Sequence, residues 1–268
     1  MTSGKAGVPP ARPHRPKYRR QNGGFMLYDI PDSCKVIVCG DSISAGVIYD
    51  DDEQKYVRSK DTLVYLMQNS LNCAITNLSR FGNTIGAALP RLKKNLSKEP
   101  CDVVVFELDG NDCDYKWDQI ALCPEAEHLP ATDLNVFENS LRQFAGLLKE
   151  KGILPVFTTL PPLDPDRYFK WVSKNSSEAG AHILSWLGSV SRIYWWHERY
   201  NSAVVRVAEG TGAALLDLRS AFLETVDFRK YICKDGIHPN KAGHRLMSEK
   251  ILQYLGSKYP SLLKPAHI

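Results

Sequence analysis

The chain has 268 residues, 43% of them hydrophobic, and a formal net charge of +4. That is enough apolar material for the core of one large α/β domain, yet no apolar run approaches the ~18–20 residues that a bilayer span needs. The charge is uneven: Lys5, Arg12, Arg15, Lys17, Arg19 and Arg20 lie in an acid-free stretch of 24 residues, leaving −2 for the remainder and no broad basic face for nucleic acid.

Residues 1–24, with Pro9, Pro10, Pro13, Pro16 and two closing glycines, read as an extended or flexible basic arm, and residues 25–268 as a single domain. The first residues lack the apolar centre of a signal peptide, so the expectation is a soluble cytoplasmic protein without stable membrane insertion. The seven cysteines include no C-x-x-C pair and read as reduced thiols acting as small hydrophobes. Cys113, Cys123, His128 and Cys233 match no common zinc spacing, and no metal is expected.

In chain order, the first strand is the apolar run from Lys35 to Cys39, which does not alternate and so suits burial on both faces of a parallel sheet. It stops at Gly40 and delivers Asp41 and Ser42. Leu63, Leu66, Met67 and Leu71 then recur at helical spacing, and residues 73–78 form a second strand that ends in the polar loop from Ser79 to Thr84. A helix follows over about 85–96, with Pro90 unsettling its first turns. The β-branched run in 102–108 predicts the clearest strand, and it exits through Asp109-Gly110-Asn111-Asp112.

Residues 113–131 show little periodicity and read as a long loop at the mouth of a site. Leu134, Phe137, Leu141, Phe144 and Leu148 mark one face of an amphipathic helix ended by Gly152. Residues 153–160 supply a fourth strand, and Pro161-Pro162 force a turn over the same sheet edge. Residues 166–200 are rich in aromatic side chains. Ile193, Trp196, Tyr200 and Val204 share a helical face there, while Trp195 lies about 100° away from Trp196 and is left for a subunit contact, a site rim or exposure. A fifth strand over 213–218, a polar loop at 233–240 and a helix over about 241–255 complete an α/β/α sandwich with a mainly parallel five-stranded sheet.

In such a sheet the strand exits share one edge, so Ser42, Gly82, Asn111 and the loop bearing Asp235 and His238 converge. Each alone is an ordinary turn residue; their joint order points to chemistry. A serine hydroxyl needs a base to take its proton, and His238 is suited to that, with Asp235 placed to hold the imidazole in the right tautomer. Attack on an ester carbonyl builds an oxyanion, for which the N–H groups of Ser42 and Gly82 and the side-chain amide of Asn111 would make three donors.

These stretches resemble the sequence blocks of the SGNH hydrolases, the GDSL-type esterase and lipase superfamily. Gly40-Asp41-Ser42-Ile43-Ser44 is similar to the first block, with Ile43 where leucine is usual. Phe81-Gly82-Asn83 resembles the second, Gly110-Asn111-Asp112 the third, and Asp235-Gly236-Ile237-His238-Pro239-Asn240 the last. The resemblance implies a flavodoxin-like sandwich, a Ser42-His238-Asp235 triad, an oxyanion hole from Ser42, Gly82 and Asn111, and no cofactor. The segments 113–131 and 168–200 exceed what a minimal member needs and are expected to shape the pocket, with Asp41, Trp117, Tyr168, Trp171 and Trp195 as candidate substrate-binding residues.

The leading expectation is a serine esterase that cleaves small acyl groups, acetyl above all, from a polar or carbohydrate carrier through an acyl-Ser42 intermediate. A lysophospholipase or thioesterase acting on longer chains fits the same residues. A binding protein that kept the fold without the chemistry is the third reading. The partner is a small-molecule ester rather than nucleic acid, with a homo-oligomer also allowed.

Overall fold

The computed structural model describes residues 18–20, 26–28, 30–108 and 110–265. The basic arm therefore lies outside the described residues except for β1 (Tyr18–Arg20), which pairs antiparallel with β2 (Met26–Tyr28). The chain continues through β3 (Lys35–Gly40), the hairpin β4 (Val47–Asp50) and β5 (Lys55–Arg58), α1 (Leu63–Ser70), β6 (Ala74–Asn77), α2 (Ile85–Leu96) and β7 (Val103–Glu107). Next come α3 (Trp117–Leu122), α4 (Leu134–Glu150), β8 (Leu154–Thr158), α5 (Pro165–Val172), α6 (Ser177–Leu187) and α7 (Ser191–Thr211). Finally β9 (Ala214–Leu216), α8 (Arg219–Leu223) and α9 (Lys241–Lys258) close the fold.

The main sheet has the order β6-β3-β7-β8-β9, and every pairing in it is parallel. Alternate residues of its strands feed opposite faces, as the pleat requires. Val104 and Phe106 join the core under α2, α4 and α7, while Val103 packs on the other face with Tyr28, Leu154 and Val156. The apolar stripe of α4 is buried as its spacing predicts, with Phe137, Leu141, Phe144 and Leu148 inside, and Asp133 caps the helix by accepting from Asn135 N and Val136 N. This is the expected three-layer α/β/α sandwich. The strand order reverses direction between β3 and β7, and the crevice at such a switch point is where open α/β sheets bind ligands.

Two regions depart from expectation. Residues 113–131 hold a helix, α3, whose Ile120 is fully buried in a cluster with Ile183 and Leu187 of α6 and Tyr168 of α5. A six-residue helix with one buried residue is too short to print a period in the sequence. The hairpin of β4 and β5, with Tyr49 opposite Tyr56, was also not anticipated. With α3, α5 and α6 it builds walls above the carboxyl edge of the sheet.

Candidate active site

The turn after β3 presents Ser42. Asp41 N donates to Glu107 O of β7 at 3.1 Å, Asp41 Oδ1 accepts from Ile43 N at 3.0 Å, and Asp41 O accepts from Ala45 N at 3.0 Å. A short polar side chain that bonds the backbone two residues on is the Asx turn, which explains an aspartate at this point. The following Ser44 N donates to the buried Glu107 Oε2 at 3.1 Å. Ser42 is thus held on a turn whose neighbours on both sides are tied to β7.

The second half comes from the loop before α9. Asp235 Oδ1 accepts from Ile237 N at 3.0 Å and His238 N at 3.1 Å, and the loop closes with Cys233 N donating to His238 O at 2.8 Å. Gly236 has φ +83°, and an added Cβ would lie 2.5 Å from Tyr168 N and 2.7 Å from Asp164 O. Only glycine serves there, because the conformation is left-handed and the first turn of α5 presses against it. Asn240 then caps α9 by accepting from Gly243 N.

These two loops bring the three expected residues into line. His238 Nδ1–H donates to Asp235 Oδ2 at 2.6 Å, and Ser42 Oγ–H donates to His238 Nε2 at 2.8 Å. The side chains are nearly sealed: Ser42 is 7% exposed, His238 4% and Asp235 0%. Burial by itself favours the neutral acid, but the His238 ring and the two backbone N–H groups hold Asp235 below the ordinary carboxylate range. An ionised Asp235 selects the Nδ1–H tautomer and leaves Nε2 free to accept the serine proton.

The remaining block residues surround Ser42. The N–H groups of Ser42 and Gly82 have no hydrogen-bond partner among the described residues. Gly82 has φ +68° and open space where a Cβ would be. Asn111 lines the cleft and spends one of its two amide N–H bonds on Asp41 Oδ2 at 3.1 Å. Asp112 is fully buried and ties this loop down, accepting from Ile85 N of α2 and from Thr132 Oγ1 at 2.6 Å. Burial outweighs those bonds and pushes Asp112 up to about 6.

A cleft of about 650 Å³ opens over Ser42 and His238. Asp41, Trp117, Tyr168 and Trp171 line it as expected, whereas Trp195 does not. Trp195 is 53% exposed on the opposite side of α7, flanked by the guanidinium groups of Arg192 and Arg199, because the 100° step from Trp196 turns it away. Trp196 lines the cleft in its place, with Tyr115 and Trp186.

Tyr56 and Asp114 had no motif to reveal them, and Phe81, which stands in the second block, is not among the residues expected to line the site. Tyr56 packs 5.1 Å from the His238 ring on one side and Phe81 stacks at 6.2 Å and 9° on another. The available sign for the hairpin that carries Tyr56 was a pair of short β-branched and aromatic runs, Val47-Ile48-Tyr49 and Tyr56-Val57, on either side of the acidic turn at Asp50–Glu53. Asp114 Oδ1 accepts from Trp117 Nε1 and Tyr168 OH, each at 2.7 Å, and burial raises its pKa. This carboxylate fixes the indole and phenol rings of the cleft wall.

A serine, a histidine and an aspartate linked in this way at the carboxyl edge of a parallel sheet have the geometry of a serine hydrolase. The chain belongs to the GDSL-like Lipase/Acylhydrolase family, whose profile matches residues 38–246, and this makes it a carboxylic ester hydrolase. No curated protein matches it.

Solved structures share the fold. The lipase/acylhydrolase from Enterococcus faecalis is 19% identical, with a TM-score of 0.58 over 88% of this chain and 100% of that one. An acetylxylan esterase from Geobacillus stearothermophilus is 20% identical, with a TM-score of 0.56 over 83% of this chain and 94% of its own. The psychrotrophic esterase EstA from Pseudoalteromonas, solved with monoethylphosphonate as inhibitor, is 16% identical, with a TM-score of 0.54 over 84% and 98%.

Proposed function

We propose that this protein is a serine esterase that removes small acyl groups, acetyl above all, from a polar carrier of carbohydrate type. The reading rests on one observation: the continuous line from Asp235 through His238 to Ser42 at the base of a cleft walled by aromatic rings.

In this mechanism His238 Nε2 takes the Ser42 proton as Oγ attacks the ester carbonyl. Negative charge collects on the carbonyl oxygen, which the N–H groups of Ser42 and Gly82 and the second amide N–H of Asn111 receive. His238 returns the proton to the departing alcohol, leaving the acyl group on Ser42. Water then attacks that ester, its proton passing to His238 and on to Ser42 as the carboxylic acid leaves. Asp235 stays ionised throughout and stabilises the imidazolium formed at each step.

The carrier is argued from the walls. Trp117, Trp171, Trp186 and Trp196 each present a half-buried ring to the cleft, and flat apolar rings beside polar groups suit the faces of a sugar. The structurally similar Geobacillus enzyme is described as an acetylxylan esterase, which supports the same acyl group and carrier class here. Hydrolysis of p-nitrophenyl acetate should exceed that of p-nitrophenyl palmitate, and acetylated xylo-oligosaccharides should release acetate. A strong preference for the long chain would overturn the small-acyl assignment in favour of a lysophospholipase or thioesterase. Equal hydrolysis by wild type and Ser42→Ala would overturn the mechanism.

A further inference from the structure

The amino edge of the sheet, opposite the active site, carries a second reactive pair. Cys34 immediately precedes β3 and Cys73 immediately precedes β6. Lys35 pairs with Ala74 in the parallel ladder, and Ala74 N donates to Cys34 O at 2.9 Å, so the two cysteines are the next cross-strand neighbours. Adjacent strands lie about 4.7–4.9 Å apart, within the ~4.4–6.8 Å between Cα atoms that a disulfide bridges. Both thiols point to the same face, where they line an apolar cavity of about 140 Å³ with Met67 and Leu71. Their Sγ atoms are 2.6 Å apart.

The two thiols are not equivalent. Cys34 is buried and Cys73 is half-buried, so Cys73 is the one that a small reagent can reach. The hydrogen bond from Cys34 lowers Cys73 to about 7, while the same contact and burial push Cys34 up. As the more exposed thiol of the pair, Cys73 is the nucleophile. The other cysteine close in sequence to a strand start, Cys101, packs against the core cluster that holds residues of α2 and α4 and does not line this cavity.

We propose that Cys34 and Cys73 form a reversible disulfide, made by exchange with a low-molecular-weight disulfide, that clamps edge strand β6 to β3. The Cys73 thiolate attacks one sulfur of the small disulfide and expels a thiolate, giving a mixed disulfide. Cys34 then attacks the Cys73 sulfur, its proton passing to the second thiolate released. Two protein thiols are oxidised and one small disulfide is reduced to two thiols. The bridge closes a 39-residue separation in sequence, which restricts the unfolded chain and leaves the Ser42 edge untouched.

The test uses the full chain incubated with oxidised glutathione, then alkylated, digested and mapped by mass spectrometry. The expected result is a Cys34–Cys73 linked peptide, two fewer alkylated thiols than in the reduced protein, and a melting temperature about 5–10 °C higher that dithiothreitol reverses. Cys73→Ser, or Cys73→Ala if the serine variant does not fold, should lose the shift and keep the esterase activity. Alkylation of both cysteines after oxidation, a glutathione adduct without the cross-link, or a cross-link that leaves the melting temperature unchanged would each overturn the proposal.

Discussion

The two walls of the cleft are built on different physics. On one, Ser42, His238 and Asp235 sit on short loops tied to the backbone at every step, with spacings of 2.6 and 2.8 Å along the line. On the other, Trp117, Tyr115, Trp186 and Trp196 meet ring to ring at centroid distances of 5.0 to 6.3 Å, with the half-buried Asp114 carboxylate holding the Trp117 indole. Directional hydrogen bonds tolerate little change in residue type or distance. Ring contacts are broad and adaptable, so the wall proposed to meet the carrier should tolerate substitutions that the wall proposed to break the bond does not.

The sharpest way to break this contrast is to remove the reacting groups. Ser42→Ala and His238→Ala should each lower kcat by about 10⁴–10⁶-fold, and Asp235→Ala by about 10³–10⁴-fold, with circular dichroism unchanged. Asn111→Ala should cost about 10²–10³-fold in kcat with little change in KM if, as proposed, its second amide N–H receives the developing oxyanion. If that variant instead raised KM alone, Asn111 would belong to the binding wall.

Gly236→Ala tests how firmly the reacting wall is held. The left-handed backbone and the 2.5 Å approach to Tyr168 N should make it lose about 2–4 kcal/mol of stability in urea unfolding. Trp186→Ala probes the opposite wall. It should raise KM for an acetylated oligosaccharide about tenfold while kcat for p-nitrophenyl acetate stays within about threefold. A collapse of both rates would show that the two walls are not separable.

The smallest effect is on pH dependence. Asp112, raised to about 6 by burial, binds its proton in the folded chain while the unfolded chain has released it. Between its unfolded value of 3.8 and about 6, its contribution to stability therefore falls as pH rises. Asp235 acts in the opposite sense: its lowered value stabilises the fold above about 4 and that stabilisation is lost as pH falls further. Asp112→Asn should flatten the slope of unfolding free energy between pH 4 and 6 relative to wild type; an unchanged slope would place the titration elsewhere.

The same contrast explains what could be read from residues alone. The strands of the main sheet announced themselves because burial on both faces demands runs such as Val103-Val104-Val105. Ser42, Gly82, Asn111, Asp235 and His238 could be picked out together because they follow the order of the SGNH blocks and three of them stand at exits of parallel strands, which share one edge. The hairpin with Tyr56 and the short helix α3 were not, since four-residue strands and one buried Ile120 leave no period to detect. Trp195 and Trp196 were separable only as two sides of a helix; which side faced the cleft depended on the placement of α7 over the sheet.

The central claim is that Ser42 is the nucleophile. Incubation with a p-nitrophenyl ethylphosphonate ester should inactivate the protein and add one phosphonyl group, mapped by mass spectrometry to the peptide containing Ser42, and Ser42→Ala should gain no such adduct. Full inactivation with the adduct on another residue, or retained activity with Ser42 modified, would contradict it.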